Sequence, residues 1–270
     1  MKSNAALGEF LRLRRQRTTP GEAGIVSTRR RVVSGLRRDE LARLAGMSVD
    51  YYTRLEQGRH PTPSSNVLDA IARALRLPEA DRRYLHRLAT PAPRPTSNPS
   101  VVRPETRHLM RALDPSPALL LSFGFDVVAT NRGARLLYTD FAALPPRERN
   151  LIRWMLTDPA ARPLHGDDWA RITADLIGVM RLFGSERPDV RRLAAEMAAV
   201  SDLFRRVWAE QAVSLADRGH KRLHHPWAGT VEFGVTYLHV RDPGEHVLMV
   251  LTPEPESEHE RAWRAAYRDS

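Results

Sequence analysis

The amino-acid sequence predicts two domains of different class: an all-α domain of five helices over residues 1–90 and an α+β domain over residues 105–270. Before residue 90, apolar residues recur at three- and four-residue spacing between glycine and serine breaks, which indicates short helices. Beyond residue 105, strand-like segments precede and follow a series of helical ones, which favours a sheet packed on one side by helices. Residues 91–104 are expected to be a linker, because the stretch TPAPRPTSNPS is typical of an extended connection.

The basic charge is concentrated in the first domain. Residues 1–90 contain 18 Lys and Arg against 9 Asp and Glu, whereas residues 91–270 contain 24 against 23. A basic module joined to a nearly neutral one favours contact between the first domain and a polyanion. An arginine-rich, solvated surface without a partner is the alternative.

Several classes of protein are disfavoured by what the sequence lacks. The chain has no cysteine, which excludes disulfides and cysteine-based zinc sites and fits a reducing cytoplasm. Apolar runs such as Ala118–Leu121 are too short to cross a membrane, and no signal-peptide pattern is present. Motifs for nucleotide binding, serine nucleophiles and zinc proteases are missing, so we expect no enzyme, no cofactor and no metal. The histidines at 165, 220, 224 and 225 are interpreted as ordinary loop residues.

Five helices are expected in the first domain. Their expected limits are an N-terminal helix ending near Arg17, then Arg38–Ala45, then Ser48 to about Gln57, then one capped by Ser64 or Ser65, and one from about Pro78. Gly46 suits the end of the second helix because glycine adopts the left-handed conformation there, and Ser48 suits the N-cap of the third. Two helices joined by so short a turn form a helix-turn-helix, whose second helix enters the major groove of DNA.

The outward face of the third helix is the expected reading surface. Arg54 can donate two hydrogen bonds to guanine, and Asp50 can accept one from cytosine. Tyr51 and Val49 can touch a thymine methyl group or a phosphate. With Ser48 at the cap, the expected set is Ser48, Val49, Asp50, Tyr51 and Arg54, and a plain helical hairpin with a charged surface is the alternative.

Phosphate contacts are expected from the residues that flank this helix. Arg37, Arg38 and Arg59 are the candidates, together with the free amides at the start of the fourth helix. The loop Thr18–Gly35 precedes them and has an open role. It is either a disordered connection or a basic arm, Arg29–Arg31, that lies on the DNA backbone or in the minor groove.

The segment LARLAGMSVDYYTRLEQGR resembles the XRE/Cro-type repressor family, with its LA pair, short turn and E-x-G. The resemblance implies that Glu56 is a buried partner of an arginine in the first helix, Arg15. Members of that family usually open their second helix with a Ser or Thr cap followed by a phosphate-binding Gln. Arg37 and Arg38 stand at those places, so the side-chain cap is lost, while an arginine can still bind phosphate.

The second domain is expected to begin its sheet with a hairpin around Gly124. Its two strands are Ala118–Phe123 and Asp126–Thr130, and strands at Thr230–Val240 and Glu245–Thr252 are expected to join them. Helices are expected at Asn131–Tyr138, Pro146–Leu156, Asp168–Phe183, Asp189–Val200, Asp202–Gln211 and Glu258–Arg268.

Six segments in order resemble the actinobacterial regulators that carry an MmyB-like ligand-binding domain. They are GLRRDELA, DYYTRLEQGR, FDVVATNRGARLLYTDF, RERNLIRWMLTD, FRRVWAEQAV and HPWAG. The resemblance implies a PAS-like fold and a pocket for a small, mainly apolar molecule such as a fatty acid. Phe125 and Trp154 stand where the family usually has Trp and Phe, which keeps the aromatic bulk while the cavity shape can differ.

Candidate ligand contacts are of two kinds. The apolar candidates are Trp154, Trp169, Met180, Phe183, Phe204 and Trp208, and ordinary core packing is the alternative for each. The polar candidates are Asn131, Arg149 and Asn150, which would either anchor a head group or cap helices. The sequence therefore predicts a homodimeric regulator that binds double-stranded DNA and a small apolar ligand. The alternative is a DNA-binding adaptor whose second domain binds a protein partner.

Overall fold

A computed structural model describes residues 4–25, 34–59, 63–90, 102–215, 219–240 and 246–270. The chain divides into two compact units, Met1–Pro93 and Arg94–Ser270. The expected arm at Arg29–Arg31 and residues 91–101 of the expected linker lie outside the described residues.

The first unit contains the five helices expected from the sequence. They are α1 (Ala5–Arg17), α2 (Arg38–Leu44), α3 (Val49–Glu56), α4 (Ser65–Ala74) and α5 (Glu79–Ala89). Ser48 caps α3 by accepting a hydrogen bond from the Tyr51 amide, and Ser64 caps α4 in the same way through Val67. Gly46 has a φ of +66° after α2, the left-handed conformation that its position predicted.

The five helices enclose one apolar core. Tyr52 and Leu55 of α3 are buried in it with Leu41 and Ala42 of α2. The backbones of α1 and α3 approach closely at Gly8, where a Cβ atom would lie 2.4 Å from the Glu56 carbonyl oxygen. Only glycine fits there, and the close approach fixes α1 against the C-terminal end of α3.

The second unit is an α+β domain. Its strands are β1 (Ala118–Leu121), β2 (Val127–Thr130), β3 (His220–His225), β4 (Gly229–Val240) and β5 (His246–Pro253). Its helices are α6 (Pro104–Ala112), α7 (Arg132–Leu137), α8 (Leu151–Thr157), α9 (Ala161–His165), α10 (Trp169–Gly184), α11 (Pro188–Val200), α12 (Asp202–Ala209) and α13 (Glu258–Asp269). Short 3₁₀ turns occur at Phe141–Ala143 and Gly166–Asp168.

The five strands form one antiparallel sheet in the order β2-β1-β5-β4-β3. Leu119 of β1 and Tyr237 of β4 both pair with Met249, which places β5 at the centre. With the helices, this sheet gives the α+β architecture and is consistent with the PAS-like fold that the resemblance implied.

The sheet has packed side chains on both faces, which corrects the expectation of helices on one face only. Leu119, Leu121, Met249 and Leu251 belong to the large core that includes the residues of α7 to α13. The alternate residues of β1 and β5 belong to a second, smaller cluster with Met110 of α6. Helix α6 therefore covers the opposite face, and the sequence reading did not predict it.

Two further elements were not predicted, and one helix was expected to start too early. Strand β3 has the polar sequence HKRLHH, in which Lys221, Leu223 and His225 are buried alternately, so its charge concealed its period of two. The interpretation of His220, His224 and His225 as loop residues was therefore wrong. It was also wrong for His165, which lies in the short helix α9. Helix α8 begins at Leu151, not near Pro146, because the Asn150 side chain caps it by accepting from the Arg153 amide.

Candidate DNA-reading and ligand-sensing sites

The outward face of α3 presents the residues expected to read bases. Val49 is 46% exposed, and Asp50 and Arg54 are also exposed. Arg54 lies 2.8 Å from Asp50 in an ion pair one turn apart. Tyr51 is half-buried beside them. The guanidinium of Arg54 stays on the surface in this ion pair. A base edge can therefore compete with the Asp50 carboxylate for its hydrogen bonds.

The opposite face of α3 is held by Glu56, whose carboxylate is buried. Arg15 of α1 donates to both of its oxygens at 2.8 Å, as the family resemblance implied. Arg38 of α2 donates to Oε1 at 2.9 and 3.1 Å. Burial alone would raise the pKa of Glu56, but hydrogen bonds from Arg15 and Arg38 outweigh it and hold that pKa below its usual value. Glu56 thus ties three helices together.

The hydroxyl of Tyr52 lies within this buried group. Burial raises the pKa of Tyr52, and the negative charge of Glu56 raises it further. Tyr52 therefore stays protonated throughout the physiological range and adds no charge to the interior.

The three arginines expected at phosphates occupy different environments. Arg37 and Arg59 are exposed, and the backbone N–H of Arg37 donates to Glu40 Oε2 at 2.7 Å. That bond gives a free backbone N–H at the start of α2 a hydrogen-bond partner, although no Ser or Thr side chain caps the helix. Arg38 is 48% exposed and is bound to Glu56, so it has a structural contact that the sequence reading had not assigned to it. Its outer part remains available to a phosphate.

Asn131 is engaged as a helix cap and sheet connector. Its Oδ1 accepts from the amides of Ala118 and Ala134, each at 2.9 Å. Its Nδ2 donates to the carbonyls of Ser116 and Met110 at 2.8 and 3.2 Å. Since these bonds satisfy both ends of a buried amide, the geometry favours the capping alternative over a ligand contact.

Arg149 and Asn150 are engaged in the same manner. Arg149 donates to the carbonyls of Leu144 and Ala142 at 2.8 and 2.9 Å. Asn150 caps α8 and donates to Gly124 O and to Asp126 Oδ1. Both side chains hold loops of the domain, which again favours a structural role over a head-group anchor.

The apolar candidates all belong to, or pack against, the large core on one face of the sheet. Trp154 packs edge-on to Tyr138 at 5.4 Å, and Trp169 donates to the Met155 carbonyl. Phe204 and Trp208 stack at 5.5 Å, with the Arg181 guanidinium over Trp208. Phe183 stacks on Phe123 at 5.9 Å, and Met180 is fully buried. These contacts are those of core packing, the alternative given for each residue.

Four polar residues that were not predicted as site residues lie on the side of the sheet that α7 to α13 cover. They are Tyr138, His165, Lys221 and Tyr237. Both tyrosines keep some accessible surface, yet burial raises the pKa of each. Tyr237 and Lys221 line the same recess beside α10. The inward alternation of HKRLHH is the one signal that would have pointed to Lys221.

The fold and the two sites define a DNA-binding transcription regulator with a ligand-binding domain. Residues 6–85 match a helix-turn-helix domain. Residues 102–266 match the MmyB-like transcription regulator ligand binding domain, and the chain belongs to that family. Both are regulatory families, and neither is enzymatic. No curated protein matches the chain significantly.

The residues that the structure describes contain neither a metal-binding cluster nor a membrane-spanning helix. No group of three or more His, Asp and Glu side chains is placed to hold a metal ion in the ranges given above. In the same part of the chain, no helix is long and apolar enough to cross a membrane.

Proposed function

We propose that the chain is a bacterial one-component regulator of the cytoplasm that reads a specific DNA operator through α3. The supporting observation is that Glu56 is held from two sides, by Arg15 and Arg38, while Val49, Asp50 and Arg54 face outward. A rigid helix with an exposed polar face is what base reading in the major groove requires. Arg37, Arg38 and Arg59 would bind phosphates around it.

The second domain is proposed to sense a small, mainly apolar molecule, such as a fatty acid. Support comes from its large apolar core on one face of the sheet and from the recess that Lys221 and Tyr237 line. Pockets of this kind, apolar with a few polar groups, are typical of small-molecule sites. No metal or enzymatic cofactor enters this proposal.

A homodimer is proposed as the form that binds DNA. Helix-turn-helix dimers read half-sites about 34 Å apart, so the operator would be a near-palindrome. The ligand would change the affinity for DNA only if it favours one arrangement of the dimer over another.

A protein-binding adaptor is the second candidate function, and one observation favours it. Trp227 in the β3–β4 turn is 72% exposed. It borders an open groove of about 570 Å³ lined by Ala262, Ala265 and Ala266 of α13. An exposed tryptophan beside small side chains suits a protein surface.

Native mass spectrometry of the freshly purified chain, repeated after denaturation, tests these proposals. An extra mass of a few hundred daltons that is lost on denaturation would support the sensor and begin to identify its ligand. The adaptor would be favoured by a dimer that has no extra mass and whose DNA complex does not respond to added apolar compounds. In that case a protein from the same cells should join the DNA complex, and it should do so through Trp227.

A further inference from the structure

Lys221 places a lysine side chain inside the second domain. It lies on β3 opposite Phe233 and is 9% exposed. It makes no hydrogen bond or ion pair with any residue that the structure describes. Lysine is seldom buried without a partner because its ammonium group loses hydration. Strand β3 therefore retains a costly residue at an inward position.

The lysine lies at a small recess between α10 and the sheet, here called the Lys221 recess. Its volume is about 60 Å³, and its walls include Ile172, Leu176, Val235 and Tyr237. A water molecule needs roughly 10–15 Å³ of cavity volume, so the recess can hold about four water molecules. The recess thus has room for a head group of three or four heavy atoms, with apolar side chains around it.

The charged neighbours compensate the lysine only in part. Arg171 and Asp175 of α10 also line the recess. The Asp175 carboxylate lies 3.6 Å from Arg171, which is also paired with Asp168 at 2.8 Å. Arg171 therefore competes with Lys221 for Asp175. Among the described residues, no carboxylate forms an ion pair with the Lys221 ammonium.

His165 approaches from α9 and adds no second charge. Its Nδ1 donates to the Ala161 carbonyl at 2.8 Å, in the tautomer that leaves Nε2 as an acceptor. Burial, together with the charge of Lys221, lowers the pKa of His165 to about 4. Tyr138 and Tyr237 are neutral as well, and His220 stands exposed at the rim.

We propose that Lys221 is the anchor for an anionic head group, a carboxylate, on the ligand that the second domain senses. The inference rests on the proposed sensor function. It adds that the ligand has a polar end and that this end lies in the Lys221 recess. The ligand's carboxylate would supply the counter-charge that Lys221 lacks, and Tyr237 lines the same recess with a hydroxyl group to offer as a further donor. Asn131, Arg149 and Asn150 cannot take this role while they hold the domain's own loops.

The charge state of Lys221 links this binding to pH. Burial lowers the pKa of Lys221 to about 8; Asp175 raises it and Arg171 lowers it. An anion favours the charged lysine, so the pKa rises in the complex. The affinity for a carboxylate should therefore fall as pH increases above 8, by up to about tenfold per pH unit. A fatty acid's own carboxyl group is ionised throughout that range.

Calorimetric titration of the full chain with decanoate and with decan-1-ol tests the inference, because the two probes share an apolar chain and differ in head group. We expect decanoate to bind at least about tenfold more tightly at pH 7, as a charge-assisted bond provides. Lys221→Met should remove that preference and the pH dependence. Arg222→Met is the matched control, since Arg222 is exposed on the same strand and paired with Glu232.

The outcomes separate the two proposals. Equal binding of both probes to the wild-type chain, or a preference that survives Lys221→Met, would overturn the role of Lys221 and leave the apolar sensor intact. Binding of neither probe would count against the apolar sensor and the inference together. Circular dichroism would reveal whether Lys221→Met folds. If it does not, the head-group preference and pH dependence of the wild-type chain still decide whether the second domain binds a carboxylate at a titrating lysine.

Discussion

Arg38 of α2 reaches across to the Glu56 carboxylate of α3 and donates to the oxygen that Arg15 also binds, so a half-exposed arginine is bound to a buried carboxylate. The contribution of Arg38 to stability and its proposed phosphate contact therefore depend on the same side chain. Substitutions around Glu56 can separate the two contributions.

Glu56→Gln should destabilise the first unit strongly. The substitution leaves the buried Arg15 without its counter-charge, a loss of about 3–5 kcal/mol in the free energy of unfolding. Denaturant unfolding of the full chain, followed through the helical signal, measures it. Asp50→Asn is the control, because that exposed pair with Arg54 should contribute less than about 1 kcal/mol. Equal effects of the two would contradict the central role of Glu56.

The wild-type chain and Glu56→Gln should also differ in how their stability depends on pH in acid. The folded state lowers the pKa of Glu56, so the stability it contributes is present above the unfolded value of about 4.5 and is lost as pH falls through the folded pKa. The unfolding free energy of the wild-type chain should fall more steeply below that pH than that of Glu56→Gln. Parallel curves would show that Glu56 is not the group that titrates.

Arg54→Ala should reduce discrimination between operator and scrambled DNA by about 1–3 kcal/mol, because a bidentate contact to guanine would be lost. Affinities measured on both DNAs at one salt concentration give the value. Arg83→Ala on α5 removes the same charge from an exposed ion pair and serves as the control. An equal loss on both DNAs would assign Arg54 to phosphate contact instead.

Arg38→Ala should weaken binding to all DNA alike and lower the slope of affinity against salt by about one, as the loss of one phosphate contact does. Its partly exposed bond to Glu56 should add a modest loss of stability, about 1 kcal/mol or less. Titrations at several salt concentrations check the slope. An unchanged slope would leave Arg38 with its structural role alone.

Asn131→Ala should destabilise the second unit by about 1–3 kcal/mol, because buried amide and carbonyl partners would be left unsatisfied. Asp140→Ala removes an exposed cap of a 3₁₀ turn and should cost less. Thermal unfolding of both variants compares them. Wild-type stability in Asn131→Ala, with ligand binding abolished, would restore Asn131 as a head-group contact.

Local chemistry made most of the first unit predictable. Ser48, Gly46 and Ser64 mark helix ends through contacts within a few residues, so a single sequence contains the whole signal. The Glu56 and Arg15 pair needed the family resemblance, because 41 positions separate the partners. The bond from Arg38 was missed, since nothing local distinguishes an arginine that turns inward from one that faces a phosphate.

The second unit was less predictable because its decisive contacts are long-range. Strand β3 is polar, and only pairing with β4 shows which of its residues face inward. Aromatic residues such as Trp169 and Phe183 suggested a pocket by size alone, and both pack against the same large core. Composition identified an apolar interior correctly but could not locate a site within it.

Strands β1 and β5 separate two layers of side chains. Leu119 and Met249 belong to the interior on one side, while Leu120 and Leu248 lie beneath α6 on the other. Alternate side chains share one backbone, so a strand displaced from within carries both layers with it. Helix α6 is also the first described element after residues 91–101, the segment that leads back to the DNA-reading unit. A ligand that displaced β1 or β5 from the side of the large core would therefore also shift the side chains that pack against α6.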